Sequence, residues 1–175
     1  YYEKIRKEFS NVRVVKWERE FNYSAINNFG AGFAKGEYLL LLNNDTEAIN
    51  PDFIQEMLGF CQREDEGIVG ARLLYGDDTI QHAGVVIGFG GIAGHTFIGL
   101  QKAENSYFHR AMCAQDYSAV TAACLMTKKS VFDQVGGLST ELAVAFNDID
   151  YCMKVRALGK LVVYAPYALL YHYES

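Results

Sequence analysis

Gly36-Glu37-Tyr38-Leu39-Leu40-Leu41-Leu42-Asn43-Asn44-Asp45-Thr46 is the stretch on which the reading of this chain turns. The apolar run Tyr38–Leu42 has the length of a strand buried on both faces. It stops at two amides, a carboxylate and a hydroxyl. In open α/β sheets, ligands sit beyond the carboxyl ends of the strands. A strand ending in Asn-Asn-Asp-Thr therefore presents hard oxygen ligands to a crevice, of a kind suited to Mg²⁺ or Mn²⁺ carrying a phosphate-bearing substrate. The plain reading of the same four residues is a turn that caps the next helix.

The composition narrows the classes. At 175 residues the chain is most simply one domain, and half of its residues are hydrophobic, which excludes disorder. Sixteen basic against twenty-one acidic residues leave a net charge of −5, so there is no basic footprint for nucleic acid. No apolar run reaches the length of a membrane span and none reads as a secretory signal. Cys61, Cys113, Cys124 and Cys152 form no CxxC pair and stand in apolar contexts, which points to free thiols in a reducing, cytoplasmic setting.

Working outward, Tyr1–Ser10 reads as the end of a solvated helix and Val12–Trp17 as a strand. Ser24 is an N-cap candidate for a helix carrying Ile26, Phe29 and Phe33, with Gly36 ending it. Asn50-Pro51-Asp52 starts a helix that runs to about Arg63. Ile68–Tyr75 is a strand that Gly76-Asp77-Asp78 turns into Thr79–Phe89. Between Gly88 and about Ala111 no regular element is evident; such a segment is usually functional. Tyr117–Met126 is β-prone, and Ser130 opens a short helix closed by Gly136-Gly137. Phe146–Asp150 starts a helix with Ile149, Cys152 and Met153 on one face and Gly159 at its end. Leu161–Tyr164 is a last short strand. The alternation implies an α/β fold, a mixed sheet flanked by helices with an irregular second half.

Three polar clusters edge the apolar elements: Asn43-Asn44-Asp45, Asn147-Asp148-Ile149-Asp150 and His172. Asp148 and Asp150 fall in a first helical turn, where carboxylates cap amides and offset the dipole. An aspartate there stays ionised and available as a base, though a weaker one. His82 and His95 read as hydrogen-bonding groups that pin the glycine-rich segment, or as donor or acceptor contacts; His109 has no assignment.

Seven co-linear stretches give a closer reading. Glu20–Ala31, Gly36–Glu47, Gln81-His82-Ala83-Gly84, Ala119–Met126, Val135-Gly136-Gly137-Leu138, Phe146–Cys152 and Tyr171-His172-Tyr173-Glu174-Ser175 resemble the family-2 glycosyltransferases. The similarity is greatest to the bacterial branch that builds O-antigen and other surface polysaccharides, rhamnose-containing ones included. The resemblance implies a GT-A fold and an inverting, hexosyl- or rhamnosyl-type transfer from a nucleotide-diphosphate sugar to a glycan or lipid-linked glycan acceptor. Asn43-Asn44-Asp45 then stands where the family has its DXD motif, so that Asp45 is the metal ligand and Asn43 and Asn44 donor contacts. Asp148 matches the catalytic aspartate, and His172 the late histidine that completes the metal or diphosphate site around Mn²⁺ or Mg²⁺. Asn28 and Gly30 match a motif lining the donor pocket, and Asp150 a supporting or acceptor-binding residue. Asn43 and Asn147 replace the family's more usual acidic residues, which lowers the charge of the site.

The family also opens with a strand, a helix and a second strand that read the nucleotide base. Nothing before Tyr1 supplies them, so the expectation is an N-terminally truncated domain. Residues 1–110 form its nucleotide-sugar and metal half and residues 111–175 its acceptor and catalytic half. The donor site is then incomplete, activity is impaired in this fragment, and the exposed sheet edge invites oligomerisation. Cytoplasmic placement follows, at the inner face of the membrane if the parent protein is anchored there. Two alternatives stand beside this reading: a non-catalytic nucleotide-sugar or carbohydrate binding module of the same fold, and a nucleotidyltransferase. The second would need a glycine- and basic-rich phosphate loop, and none is visible.

Overall fold

The computed structural model describes residues 2–104 and 106–174; Tyr1, Asn105 and Ser175, which fall within stretches read above, lie outside them. Helix α1 (Tyr2–Glu8) buries no residue, as a solvated helix should. Val12–Trp17 is not a strand. A strand needs a partner for its backbone groups, and no described strand pairs with this segment, although it borders a groove along Tyr38–Leu42. Side chains hold it instead: Trp17 meets Phe29 edge-on at 5.4 Å, and the Arg13 guanidinium lies 4.4 Å over the Phe33 ring.

Helix α2 (Tyr23–Ala31) is capped by Asn22, whose side chain accepts from the Ala25 N–H at 2.9 Å. Ser24, the expected cap, is inside the helix and buried, donating its hydroxyl to the Leu142 carbonyl at 2.9 Å. The helix closes at Gly32 rather than Gly36. Strand β1 (Tyr38–Leu42) follows, then β2 (Thr46–Ala48), helix α3 (Phe53–Cys61) and strand β3 (Glu66–Leu74). Gly84, at φ +100°, breaks the expected Thr79–Phe89 strand into β4 (Ile80–His82) and β5 (Val85–Ile87). The glycine-rich segment holds more order than expected. It contains β6 (Ala93–His95), which closes a hairpin on β5, and a 3₁₀ segment over Tyr107–Met112. Short β7 (Gln115–Asp116) precedes β8 (Cys124–Lys128), so only the end of the expected Tyr117–Met126 strand enters a ladder. Helix α4 (Lys129–Gln134), helix α5 (Asn147–Ala157) and strand β9 (Leu161–His172) complete the chain.

The main sheet has the order β1-β8-β3-β9-β2, with β4 beside β3 and β7 beside β9; only β3 and β9 run parallel. Strand β1 is therefore an edge strand, and it is not buried on both faces as its apolar run suggests. Leu39 and Leu41 are buried while Leu42 is 46% exposed. An unbroken leucine run cannot distinguish these places. The central strand is β3, buried at all nine positions. Val69, Ala71 and Leu73 pack with Met57 and Cys61 of α3, and Ile68 faces the cluster containing Cys152 and Val155 of α5. Each fully buried aliphatic side chain of this kind contributes about 1.5–3 kcal/mol.

Strand β9 is three times its expected length. Its register against β3 jumps from Ala71–Ala165 to Arg72–Leu169, so Pro166-Tyr167-Ala168 bulge out of the ladder. Proline lacks the N–H a ladder would use and is tolerated at such a bulge. Beyond it the strand resumes and carries His172 to the cleft. In α5 the buried face is Tyr151, Cys152 and Val155; Met153, expected beside Cys152, is 42% exposed because adjacent helical residues point about 100° apart. All four cysteines are free, and Cys113 is exposed rather than in an apolar context. Burial pushes the thiols of Cys61, Cys124 and Cys152 up to about 12. No helix among the described residues is long and apolar enough to cross a membrane.

Candidate functional site

Strand β1 ends where the Asn43 N–H donates to the Ala123 carbonyl of the neighbouring chain segment, at 2.9 Å. The Thr46 hydroxyl then donates back to the Asn43 carbonyl at 2.8 Å. Asn43–Thr46 is thus a turn, as the plain reading has it, but it leads into β2 and caps no helix. Strand β2 pairs with β9 so that Thr46 stands opposite His172, and the Tyr173 N–H donates to the Asp45 carbonyl at 3.0 Å. These backbone ties bring together residues 127 positions apart in the chain. The His172 Nε2 lies 3.3 Å from Asp45 Oδ1 and 3.3 Å from Asn43 Nδ2.

The protonation of that imidazole follows from Gln81, which sequence reasoning missed as a site residue. Gln81 Nε2 donates to the His172 carbonyl at 3.1 Å, which turns its Oε1 toward His172 Nδ1 at 2.8 Å. An amide oxygen only accepts, so Nδ1 carries the proton. In the neutral ring, Nε2 is left with a lone pair directed at Asn43 and Asp45. This is the arrangement in which a histidine ligates a metal, its other nitrogen held by an outer partner. Gln81 could have been suspected from its place beside His82 in a matched stretch.

Asp148 comes to the same cleft from the first turn of α5. Its Oδ2 accepts from the Ala122 N–H at 3.3 Å and its Oδ1 from the Ile149 N–H at 2.8 Å. The helix is entered through Phe146 at φ +61°, a strained conformation for a bulky residue. Asp148, Asn43, His172 and Tyr23 border one cavity of about 210 Å³. Tyr23, also unmarked in the sequence, directs its hydroxyl to the Ala122 carbonyl at 3.2 Å and to Asn43 Oδ1 at 3.5 Å. Burial, reinforced by the Asp148 carboxylate, pushes its pKa up to about 12, so it keeps its proton at neutral pH.

Not all the expected residues meet here. Asn44 is exposed on the turn. Asn28 does not border the cavity: its Nδ2 donates to the Leu138 carbonyl at 2.8 Å and its Oδ1 accepts from the Leu138 N–H at 2.9 Å. Gly30 borders a separate groove of about 420 Å³ along the outer edge of β1, with Val15, Trp17 and Leu40. Asp150 faces the loop before α5, accepting from Ser139 at 2.6 Å and pairing with Lys154 at 2.8 Å. Burial raises its pKa, but those two partners outweigh that effect and hold the carboxyl below its usual range. His82 and His95 hydrogen-bond through their Nδ1 atoms at 2.9 Å and so do pin the β5–β6 hairpin. Among the described residues no group of three His, Cys, Asp or Glu side chains is placed to cage a metal alone.

Comparison with solved structures defines the class. The chain superimposes on GalNAc-T7 with UDP, GalNAc and Mn²⁺ at a TM-score of 0.73, with 13% identity over 98% of this chain and 35% of that one. It superimposes on the mannosyltransferase PcManGT from Pyrobaculum calidifontis, in complex with GDP-Man and Mn²⁺, at 0.69, with 11% identity over 98% and 42%. The fold is GT-A, the mixed α/β fold of nucleotide-sugar transferases. The glycosyl transferase family 2 model matches residues 1–136, and the chain belongs to that family. It is 53% identical over 165 residues to the uncharacterized protein y4gI of Sinorhizobium fredii (strain NBRC 101917 / NGR234), covering 94% of this chain and 18% of that protein. It is 38% identical over 174 residues to the O-antigen biosynthesis protein RfbC of Myxococcus xanthus, covering 98% and 14%. The chain thus spans less than a fifth of either relative's length.

Proposed function

We propose that the domain performs an inverting transfer of a sugar, of hexosyl or rhamnosyl type, from a nucleoside-diphosphate sugar to a hydroxyl of a glycan or lipid-linked glycan in surface-polysaccharide synthesis. Family membership and the GT-A fold support glycosyl transfer from such a donor. The observation that supports the reading is that Asp148 and His172, from distant parts of the chain, border one cavity, and that Asp45 lies 3.3 Å from the His172 Nε2 beside it. Residues 1–110 would supply most of the donor half and residues 111–175 the catalytic half, with His172 crossing back on β9.

The donor set fits a divalent cation of the Mn²⁺ or Mg²⁺ type. One carboxylate and one lone-pair imidazole are too few for a closed protein cage, and such cations commonly complete their shell with substrate phosphates and water. Asp45 and His172 would hold the cation, with Asn43 as the neighbouring amide. When bound, it offsets the charge that develops on the leaving diphosphate. The chain's own groups do the rest. Asp148, its carboxylate fixed by two backbone N–H groups, takes the proton of the acceptor hydroxyl as the hydroxyl oxygen bonds to the anomeric carbon. The bond from that carbon to the diphosphate oxygen breaks on the opposite face, so configuration inverts and no covalent enzyme intermediate forms. Tyr23, protonated, would donate to a diphosphate oxygen beside Asn43 by giving up its bond to the Ala122 carbonyl.

The test is nucleoside diphosphate release from a panel of UDP-, GDP- and dTDP-sugars in the presence of Mn²⁺, using the full-length protein. Asp148→Asn should lower turnover by about 10²–10⁴-fold with donor affinity retained. Turnover unaltered by that substitution would remove Asp148 from the mechanism.

A further inference from the structure

Asp148 belongs to two cavities. One is the chamber with Asn43 and His172. The other, of about 270 Å³, is bordered by His95, Val85, Phe146 and Ile149. The carboxylate therefore stands where the chambers meet, with Asn43 and His172 on one side and, on the other, a mixed wall in which apolar side chains stand beside the His95 ring and the Asn147 amide. An in-line displacement needs the acceptor and the departing diphosphate on opposite sides of the anomeric carbon. If the diphosphate occupies the first chamber, the acceptor comes from the second.

The state of His95 follows from its partner. His82 is fully buried, and its Nε2 has no hydrogen-bond partner among the described residues. One of the two facing Nδ1 atoms must carry the proton shared across their 2.9 Å contact. Were it that of His95, neutral His82 would carry its proton on Nε2 and bury an orphaned N–H, the rarer and costlier kind of unsatisfied group. With the proton on His82 Nδ1, no buried N–H is orphaned, and His95 accepts at Nδ1 and carries its own proton on Nε2. Burial holds both rings neutral, lowering their pKa values below the ordinary one.

We infer that His95 is an acceptor-binding residue: its Nε2–H donates to a hydroxyl of a saccharide ring that enters the second chamber and offers another hydroxyl to Asp148. His82 is the positioning residue that sets its tautomer. The ligand class is a neutral pyranose. Phe146, 46% exposed, and Val144, 74% exposed, give the apolar surface on which the C–H face of such a ring packs, and the cavity has room for about one ring. This rests on the transferase reading above, which supplies the base and the side from which the donor leaves.

Two measurements test it. Histidine ¹⁵N–¹H correlation spectra of the chain should show His95 as the Nε2–H tautomer and His82 as the Nδ1–H tautomer. The reverse assignment overturns the inference whatever the activity. Methyl glycosides of mannose, glucose, galactose, rhamnose and N-acetylglucosamine are then titrated while the His95 ring signals are followed. At least one should shift them saturably; no shift with any of the five overturns the inference. In the full-length protein, His95→Leu should lower kcat/KM for the acceptor about tenfold, chiefly through KM. His95→Gln, which keeps an N–H donor, should recover most of the loss. Equal loss in both variants assigns His95 to the hairpin alone and overturns the acceptor role. Absence of nucleotide-sugar turnover in the unmodified full-length protein instead refutes the transferase reading, and with it this inference.

Discussion

Gln81→Leu probes the support of the candidate metal ligand without touching the cleft. Gln81 is 4% exposed and makes two bonds to one residue, donating to the His172 carbonyl and accepting from the Nδ1–H. Leucine matches its volume but offers neither. The lost bond costs about 1 kcal/mol and the orphaned Nδ1–H about 1–3 kcal/mol, giving about 2–4 kcal/mol in all. Freed of its acceptor, His172 also loses the tautomer that leaves a lone pair on Nε2, and loss of an outer partner lowers metal affinity about 10–100-fold. Gln81→Glu separates the two effects, since a carboxylate still accepts from Nδ1–H but cannot donate to the carbonyl. Urea unfolding gives the stability change, and calorimetric titration of Mn²⁺ with UDP or GDP present gives the affinity. The expected order of affinity is wild type, then Gln81→Glu, then Gln81→Leu. If Gln81→Leu matches the wild type in both stability and Mn²⁺ affinity, the tautomer argument fails.

Other consequences can be measured on the same chain. Gly70→Ala should destabilise by about 1–3 kcal/mol, because the added Cβ would overlap the Val120 side chain, its Cβ above all; urea unfolding measures the loss. Asn28→Ala removes both bonds to Leu138 and should cost about 2 kcal/mol in urea unfolding without altering donor affinity. A fall in donor affinity would instead return Asn28 to the donor pocket. His82, its pKa lowered by burial and by His95 and His172, and His95, lowered by burial against the opposing pull of Asp148 and Glu174, bind fewer protons folded than unfolded. The stability they support is complete above the unfolded value of about 6.5 and is lost as pH falls toward the folded values, by up to about 1.4 kcal/mol per unit for each ring. His82→Gln should flatten that slope in unfolding measured between pH 7 and 5.

What was legible in the sequence was mostly local. Caps, glycine stops and apolar runs placed α3, β1, β3, α4 and α5 to within a few residues. Rank within the sheet was not, since a leucine run reads alike at an edge and at a centre. Strand β3 takes the centre because Gly67 and Gly70 let Val155 and Val120 pack directly on its backbone. The length of β9 was hidden by Pro166, a stop signal that a bulge accommodates. Within the site, Asp45, Asp148 and His172 could be named from family order, but their meeting depends on register. Only the pairing of Thr46 with His172 puts the imidazole beside the carboxylate. Gln81 and Tyr23 stand in matched stretches, but their roles there are not legible: an amide in a strand and a tyrosine opening a helix become informative once their partners are known.

The central claim is that the diphosphate of a donor, with its cation, lies between Asp45, His172 and Asp148. Paramagnetic broadening by Mn²⁺ tests it directly. In ¹H–¹⁵N spectra of the chain, substoichiometric Mn²⁺ is added with UDP or GDP, with Asp45→Asn as control. The account predicts broadening centred on Asn43–Thr46, Ala122, Asp148 and His172, greatly weakened in the control. Broadening centred elsewhere, on the exposed carboxylates of Asp77 or of α1, or surviving intact in Asp45→Asn, would contradict it.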